Sequence, residues 1–190
     1  MKKLIAEIQA CTTCAAHLPH GVRPVLQAGT KAKLIIIGQA PGRKVHDSGI
    51  PWDDASGNQL RKWLGIDKDL FYNPDVIALV PMGFCYPGKG AGGDLPPRPE
   101  CAPQWHPSLL KNMKQVQLTL LIGQYAQQHY LKDNIKENLT ETVRAHKEYL
   151  PKYLPLPHPS PRNRFWLSKN PWFEKEVIPI LQDIVKQQVS

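Results

Sequence analysis

The run Leu34-Ile35-Ile36-Ile37, closed at once by Gly38, constrains this chain more than any other feature. Four consecutive apolar residues with no polar alternation suit a strand covered on both faces, the condition of a parallel sheet. Three further runs resemble it: Val76 to Val80, Leu118 to Ile122 ending at Gly123, and Lys152 to Leu156. In the last, Pro155 cannot donate to a ladder and restricts the run to an edge or a strand end. Segments with helical spacing separate the runs: Lys2 to Ala10 ahead of the first, then Asn58 to Leu64, Pro107 to Val116 and Gln124 to Leu131. Thr140 to Tyr149, with Thr140 as N-cap, and Pro171 to Gln188 complete the set. Alternating strands and helices predict an α/β fold, a three-layer α/β/α sandwich around a central four-stranded parallel sheet. Ligand-binding loops in such sheets leave the carboxyl ends of the strands. No repeat or linker interrupts residues 1–190, so one domain is expected.

Pro81 to Pro107 resists this scheme. Between Pro87 and Pro99 lie eight prolines or glycines, which excludes regular structure. So long a loop needs a reason, such as an active site or a bound ion. Cys85 and Cys101 bracket it, and Cys11-x2-Cys14 follows the first helical segment. In a chain read as cytoplasmic, paired cysteines point to metal or redox use rather than disulfides. A thioredoxin-type site would leave Cys85 and Cys101 unexplained. Spacing alone leaves a four-thiolate iron–sulfur cluster and zinc both open, against four unrelated buried thiols.

No apolar run is long enough to cross a bilayer, and Glu7 interrupts the apolar start, against a signal peptide. The net charge of +8 favours a polyanionic partner. Its distribution points the same way: seven Lys/Arg between Arg144 and Lys175 face only Glu148 and Glu174, interleaved with tyrosine, phenylalanine and tryptophan. Basic groups among aromatics suit backbone contact and base stacking.

Two motifs stand at predicted strand ends. Gly38-Gln39-Ala40-Pro41-Gly42 follows the first strand and leads into Ser48 to Gly57, which holds Trp52, Asp53 and Asp54. Glycine permits close backbone approach to a ligand, and proline fixes the turn; the alternative is a packing corner. His158-Pro159-Ser160-Pro161-Arg162-Asn163 follows the last strand, with prolines clamping the histidine at a loop mouth.

These features, in this order, resemble the uracil-DNA glycosylase superfamily, most closely its iron–sulfur branch (families 4 and 5). The early Cys-x2-Cys, Gly-x-Ala-Pro-Gly, the cysteine pair around a proline-rich loop and His-Pro-Ser all match. The resemblance implies a [4Fe–4S] cluster on Cys11, Cys14, Cys85 and Cys101, with zinc as the alternative. It implies Trp52 as the ring stacking on a flipped base, with Gly38, Gln39, Ala40 and Pro81 lining the base pocket. His158 would stabilise the charge developing on the base. Arg162 would be the wedge filling the vacated stack, and Ser160, Asn163 and Arg164 would hold DNA. The string from His158 to Asn163 also looks like that of the single-strand-selective monofunctional uracil glycosylases. Two positions depart. Gln39 stands where family 4 has Glu, and an amide cannot act as a base; Pro81 stands where the family has the Asn that reads uracil. Family 5 instead has an Asp after the stacking aromatic, which matches Asp54, with Asp53 next and His46 and Asp47 behind them. Capping of the following helix is the competing role for Asp53 and Asp54. The resulting expectation is a monomeric, cytoplasmic, monofunctional glycosylase acting on damaged single- or double-stranded DNA. A nucleic-acid-binding protein that has lost catalysis is the alternative, and a zinc-bound adaptor stands further off.

Overall fold

The computed structural model describes residues 1–189. Helix α1 (Lys2–Gln9) leads through an irregular segment to strand β1 (Leu34–Ile37), then α2 (Arg43–Ser48), α3 (Ala55–Leu64) and α4 (Lys68–Phe71). Strand β2 (Ile77–Leu79) follows, then a small hairpin of β3 (Lys89–Gly90) and β4 (Gly93–Asp94), and α5 (Cys101–Asn112). The chain closes with β5 (Leu118–Ile122), α6 (Gln124–Leu131), α7 (Leu139–Arg144), β6 (Tyr153–Leu156), α8 (Arg164–Lys169) and α9 (Ile178–Val189).

The main sheet is four-stranded and wholly parallel, in the order β2-β1-β5-β6, with Leu34 opposite Ile77 and Leu118, and Leu121 opposite Pro155. Pro155 is tolerated because β6 is an edge strand, as its missing N–H requires. Alternation divides the strand residues between two cores. Leu34, Ile36, Leu120, Leu154 and Leu156 pack under α3, α7 and α9, while Ile35, Ile37, Ala78 and Leu121 pack under α1, α5 and α6. Each such side chain, removed from water, contributes about 1.5–3 kcal/mol. This is the three-layer α/β/α fold expected.

Several boundaries differ from the sequence reading. Helix α3 begins at Ala55 rather than Asn58, because Asp54 caps it: its Oδ1 accepts from Gly57 N at 2.8 Å. Asn138, not Thr140, caps α7 by accepting from Glu141 N, and Thr140 Oγ1 instead accepts from Trp166 Nε1. Helix α5 starts at Cys101 and carries Pro107 inside it. The last helix is preceded by a wide π turn over Phe173–Val177.

The carboxyl ends of the strands are sewn together. Met82 N donates to Gly38 O at 3.0 Å and Gly83 N to Gln39 O at 2.9 Å, joining the turn after β1 to the segment after β2. On the other side, the buried Gln127 amide donates to Leu121 O at 3.2 Å and Leu156 O at 3.0 Å. It fixes the point where the chain leaves β6 toward His158.

Candidate active site

A cavity of about 490 Å³ opens at that end of the sheet, bounded by four walls. Gly38, Gln39 and Ala40 supply one wall, Trp52 and Asp54 a second, Pro81 with Gly93 and Asp94 a third, and His158, Ser160, Arg162 and Asn163 the last. The volume suits a small planar ligand.

Trp52 is the focus of the local strain. Its φ of 58° lies in the left-handed region, unusual for a bulky side chain and worth about 1–3 kcal/mol. Two glycines make room for it. A Cβ on Gly38 would lie 2.7 Å from Trp52 Cζ2, and one on Gly57 would lie 1.7 Å from the Trp52 carbonyl oxygen. The benzo ring of the indole therefore reaches the turn after β1, and the indole stacks on the His158 imidazole with ring centroids 5.6 Å apart at 28°.

His158 is partly buried, and Asn163 Nδ2 donates to its carbonyl at 2.7 Å, closing the loop behind it. Burial pushes its pKa below the ordinary histidine value, while the Asp54 and Asp94 carboxylates pull weakly the other way. The imidazole is thus neutral near pH 7, able to donate one hydrogen bond without importing a charge.

Behind Pro81 lies a second histidine. His106 is 1% exposed; its Nε2 donates to the Pro81 carbonyl at 3.0 Å and its Nδ1 accepts from the Tyr130 hydroxyl. A carbonyl can only accept, so the tautomer is fixed. Burial lowers His106 to about 4.

Of the residues picked from sequence, Gly38, Gln39, Ala40, Trp52, Asp54, Pro81, His158, Ser160, Arg162 and Asn163 all line this cavity. Asp53 does not. It faces Lys68, 4.0 Å away, because the turn that aims Asp54 inward as a cap turns its neighbour outward. Arg164 lies outside the lining, exposed at the start of α8. Arg162 lies against the hairpin, where a Cβ on Gly93 would meet Nη1 at 2.6 Å. The most protruding group near it is Phe165, 81% exposed. His46 and Asp47 sit on α2 behind the wall, whereas Lys44 of the same helix lines the cavity. Asp94, Lys44 and Phe165 were not singled out from sequence. Asp94 was hidden in the Pro/Gly loop, although a carboxylate straight after Gly92-Gly93 was a usable signal.

The four cysteines converge elsewhere. Cys11, Cys14, Cys85 and Cys101 line one apolar pocket with Ile8, Phe84 and Trp105, and Arg98 at its edge. Cys14, Cys85 and Cys101 are buried and none is in a disulfide. Burial, and repulsion among the thiolates, push Cys101 up to about 12. Burial raises Cys14 and Cys85 too, whereas at Cys11 burial is outweighed by hydrogen bonds to Thr13 and Trp105, which lower it. Four thiolates in one pocket need compensating cations, so the donor set fits a metal group. Among the described residues, no cluster of three or more His, Cys, Asp or Glu is arranged to hold a single metal ion. No helix of the described residues is long and apolar enough to cross a membrane.

A family model described as "Uracil DNA glycosylase superfamily" matches residues 26–182, more than half of the chain and every cavity-lining residue but Val25.

Proposed function

The chain belongs to the uracil-DNA glycosylase superfamily, and from that premise we propose that it is a monofunctional DNA glycosylase. It extrudes uracil or a related deaminated base and hydrolyses the N-glycosidic bond. Membership supports DNA as partner and hydrolytic base excision as the reaction class. The observation that carries the finer reading is the stacked Trp52–His158 pair in one cavity with Asp54 beneath it.

C1′ is unreachable within a stacked duplex, so the nucleotide must swing out, at a cost of about a few kcal/mol in unstacking. Trp52 offers the base a π face. The neutral His158 donates to the base oxygen as negative charge builds on it. Asp54 Oδ1 is held by Gly57 N, which leaves Oδ2 toward the cavity to support water and the cationic sugar. Ser160, Arg162, Asn163, Arg164 and Lys44 bind the strand. Lys44 is exposed on α2, a position suited to a phosphate rather than to imine chemistry.

The test is a panel of oligonucleotides carrying uracil, hypoxanthine or xanthine, single- and double-stranded, followed by strand scission at abasic sites. Abasic product from at least one supports the reading; none from any, with the protein folded and its metal intact, defeats it. A binding protein without turnover is the second reading. Gln39 favours it, because this neutral amide packs against Gly123, whose Cβ would meet Nε2 at 2.8 Å.

Cys11, Cys14, Cys85 and Cys101 would hold a [4Fe–4S] cluster, which when bound supplies a rigid covalent tie between the first helix and the loop from 85 to 101. Elemental analysis is expected to give iron rather than zinc, with broad visible absorbance; stoichiometric zinc in a colourless protein would overturn the assignment.

Phe165 is expected to act at the duplex. An exposed apolar side chain just after the cavity-lining Arg162 and next to Arg164 suits insertion into a base step. Phe165→Ala should lower excision from duplex by about 10-fold or more, as loss of base–aromatic stacking implies, and leave single-stranded substrate within about twofold. Equal losses on both substrates would return the wedge role to Arg162.

A further inference from the structure

We propose that Asp94 is a second carboxylate of the catalytic centre, facing the sugar from a different wall of the cavity than Asp54, and that Tyr86 is the residue that positions it. The inference rests on the glycosylase reading above. It begins from a cost. A protein of net charge +8 that binds a polyanion gains nothing from an exposed aspartate at the mouth of its binding cavity. Asp94 stands there nonetheless, at the end of β4, on the lining that includes Trp52, His158 and Asp54. Its charge reaches the His158 ring, as that of Asp54 does.

The carboxylate is held, not loose. The Tyr86 hydroxyl donates to Asp94 Oδ1 at 3.4 Å, and Oδ2 turns toward the first motif, where a Cβ on Gly42 would lie 3.4 Å away. Tyr86 is itself clamped: 3% exposed, stacked on His20 at 5.2 Å and 20°, and tilted against His46 at 5.9 Å. It directly follows Cys85, so the segment that ends in the thiol pocket also aims this side chain. Asp54, by contrast, has Oδ1 committed to the start of α3.

This arrangement divides the work between two acids. As the C1′–N bond breaks, its electron pair leaves with the base and positive charge spreads over the sugar. Asp54 and Asp94 face that charge from two sides. A water oxygen bonds to C1′ and gives one proton to Asp94 Oδ2, and the base anion is protonated from solvent.

The test uses duplexes carrying a cationic pyrrolidine abasic-site mimic or its neutral tetrahydrofuran counterpart, so it does not require the natural lesion to be known. Wild type is expected to bind the cationic duplex at least 10-fold more tightly. Asp94→Asn should cut that ratio severalfold, Asp54 keeping the remainder, while neutral-duplex affinity holds or improves, since a charge repelling phosphates is gone. Tyr86→Phe, which removes only the hydroxyl, should give an intermediate ratio, and both variants should keep a melting temperature close to that of wild type. A ratio left unchanged by Asp94→Asn overturns the proposal but leaves the glycosylase reading intact if excision persists in the lesion panel. A wild type with no cationic preference overturns it as well, and absence of excision alongside would remove both.

Discussion

His158→Ala is expected to slow base excision by about 10²–10³-fold in single-turnover assays, the effect of deleting one preorganised donor to a developing anion. The fold should survive, because the removed ring is only partly buried and Trp52 keeps its glycine seats. The pH profile carries a second signature. Burial lowers the His158 pKa from its ordinary 6.5, so the neutral donor persists into mildly acidic solution and the acid limb of the rate lies below that value. The sign for stability follows from proton uptake. The unfolded chain binds a proton at this histidine near pH 6.5 and the folded chain only lower, so stability is retained above 6.5 and lost as pH falls below it. His158→Ala removes this contribution to acid sensitivity. A variant within threefold of wild type would show that the imidazole takes no part in the chemistry.

Gly57→Ala should be the most damaging substitution of a single methyl group. The added carbon would stand 1.7 Å from the Trp52 carbonyl oxygen, 2.7 Å from its carbon and 3.0 Å from its Cβ. Two of those atoms are backbone, so no side-chain rotation relieves the contact. The segment from Trp52 to Gly57 has to move, taking with it the indole and the Asp54 Oδ1 to Gly57 N bond. Overpacking of this kind costs about 3 kcal/mol or more, a fall of about 6–12 °C in melting temperature for a chain of this size. Excision should fall with the displaced ring. Gly92→Ala is the control: it lies in the same cavity lining, its Cβ would meet nothing within 4 Å, and it should be neutral. Equal melting temperatures for the two variants would contradict the packing described.

The sheet was legible because its signal is local. Leu34–Ile37 is apolar throughout, Leu118–Ile122 is apolar but for Thr119, and Gln124–Leu131 matches its predicted limits. Helix α5 was shortened in the reading because Pro107 resembles a first-turn residue, whereas the helix runs through it from Cys101. The helices α2 and α8 have six residues each, too few for a period to register. Asp53 and Asp54 were equivalent as letters. A cap needs one side chain turned back on the helix, which sends its neighbour to Lys68. The convergence of Asp94 and Tyr86 on the cavity depends on how an irregular loop folds over a distant turn, and no spacing rule encodes that.

The bond from His106 Nε2 to the Pro81 carbonyl would also limit what a glycosylase built on this cavity can discriminate. At this position the chain has no side-chain donor, no backbone N–H, and a main-chain oxygen already engaged. An incoming heterocycle meets a wall there with nothing to recite its edge to. Shape-based filters separate close analogues by about 10²-fold, whereas a dedicated hydrogen-bonding edge reaches about 10⁴–10⁵. On the glycosylase reading, the expectation is a generalist whose choice among lesions follows how readily each abandons its partner strand.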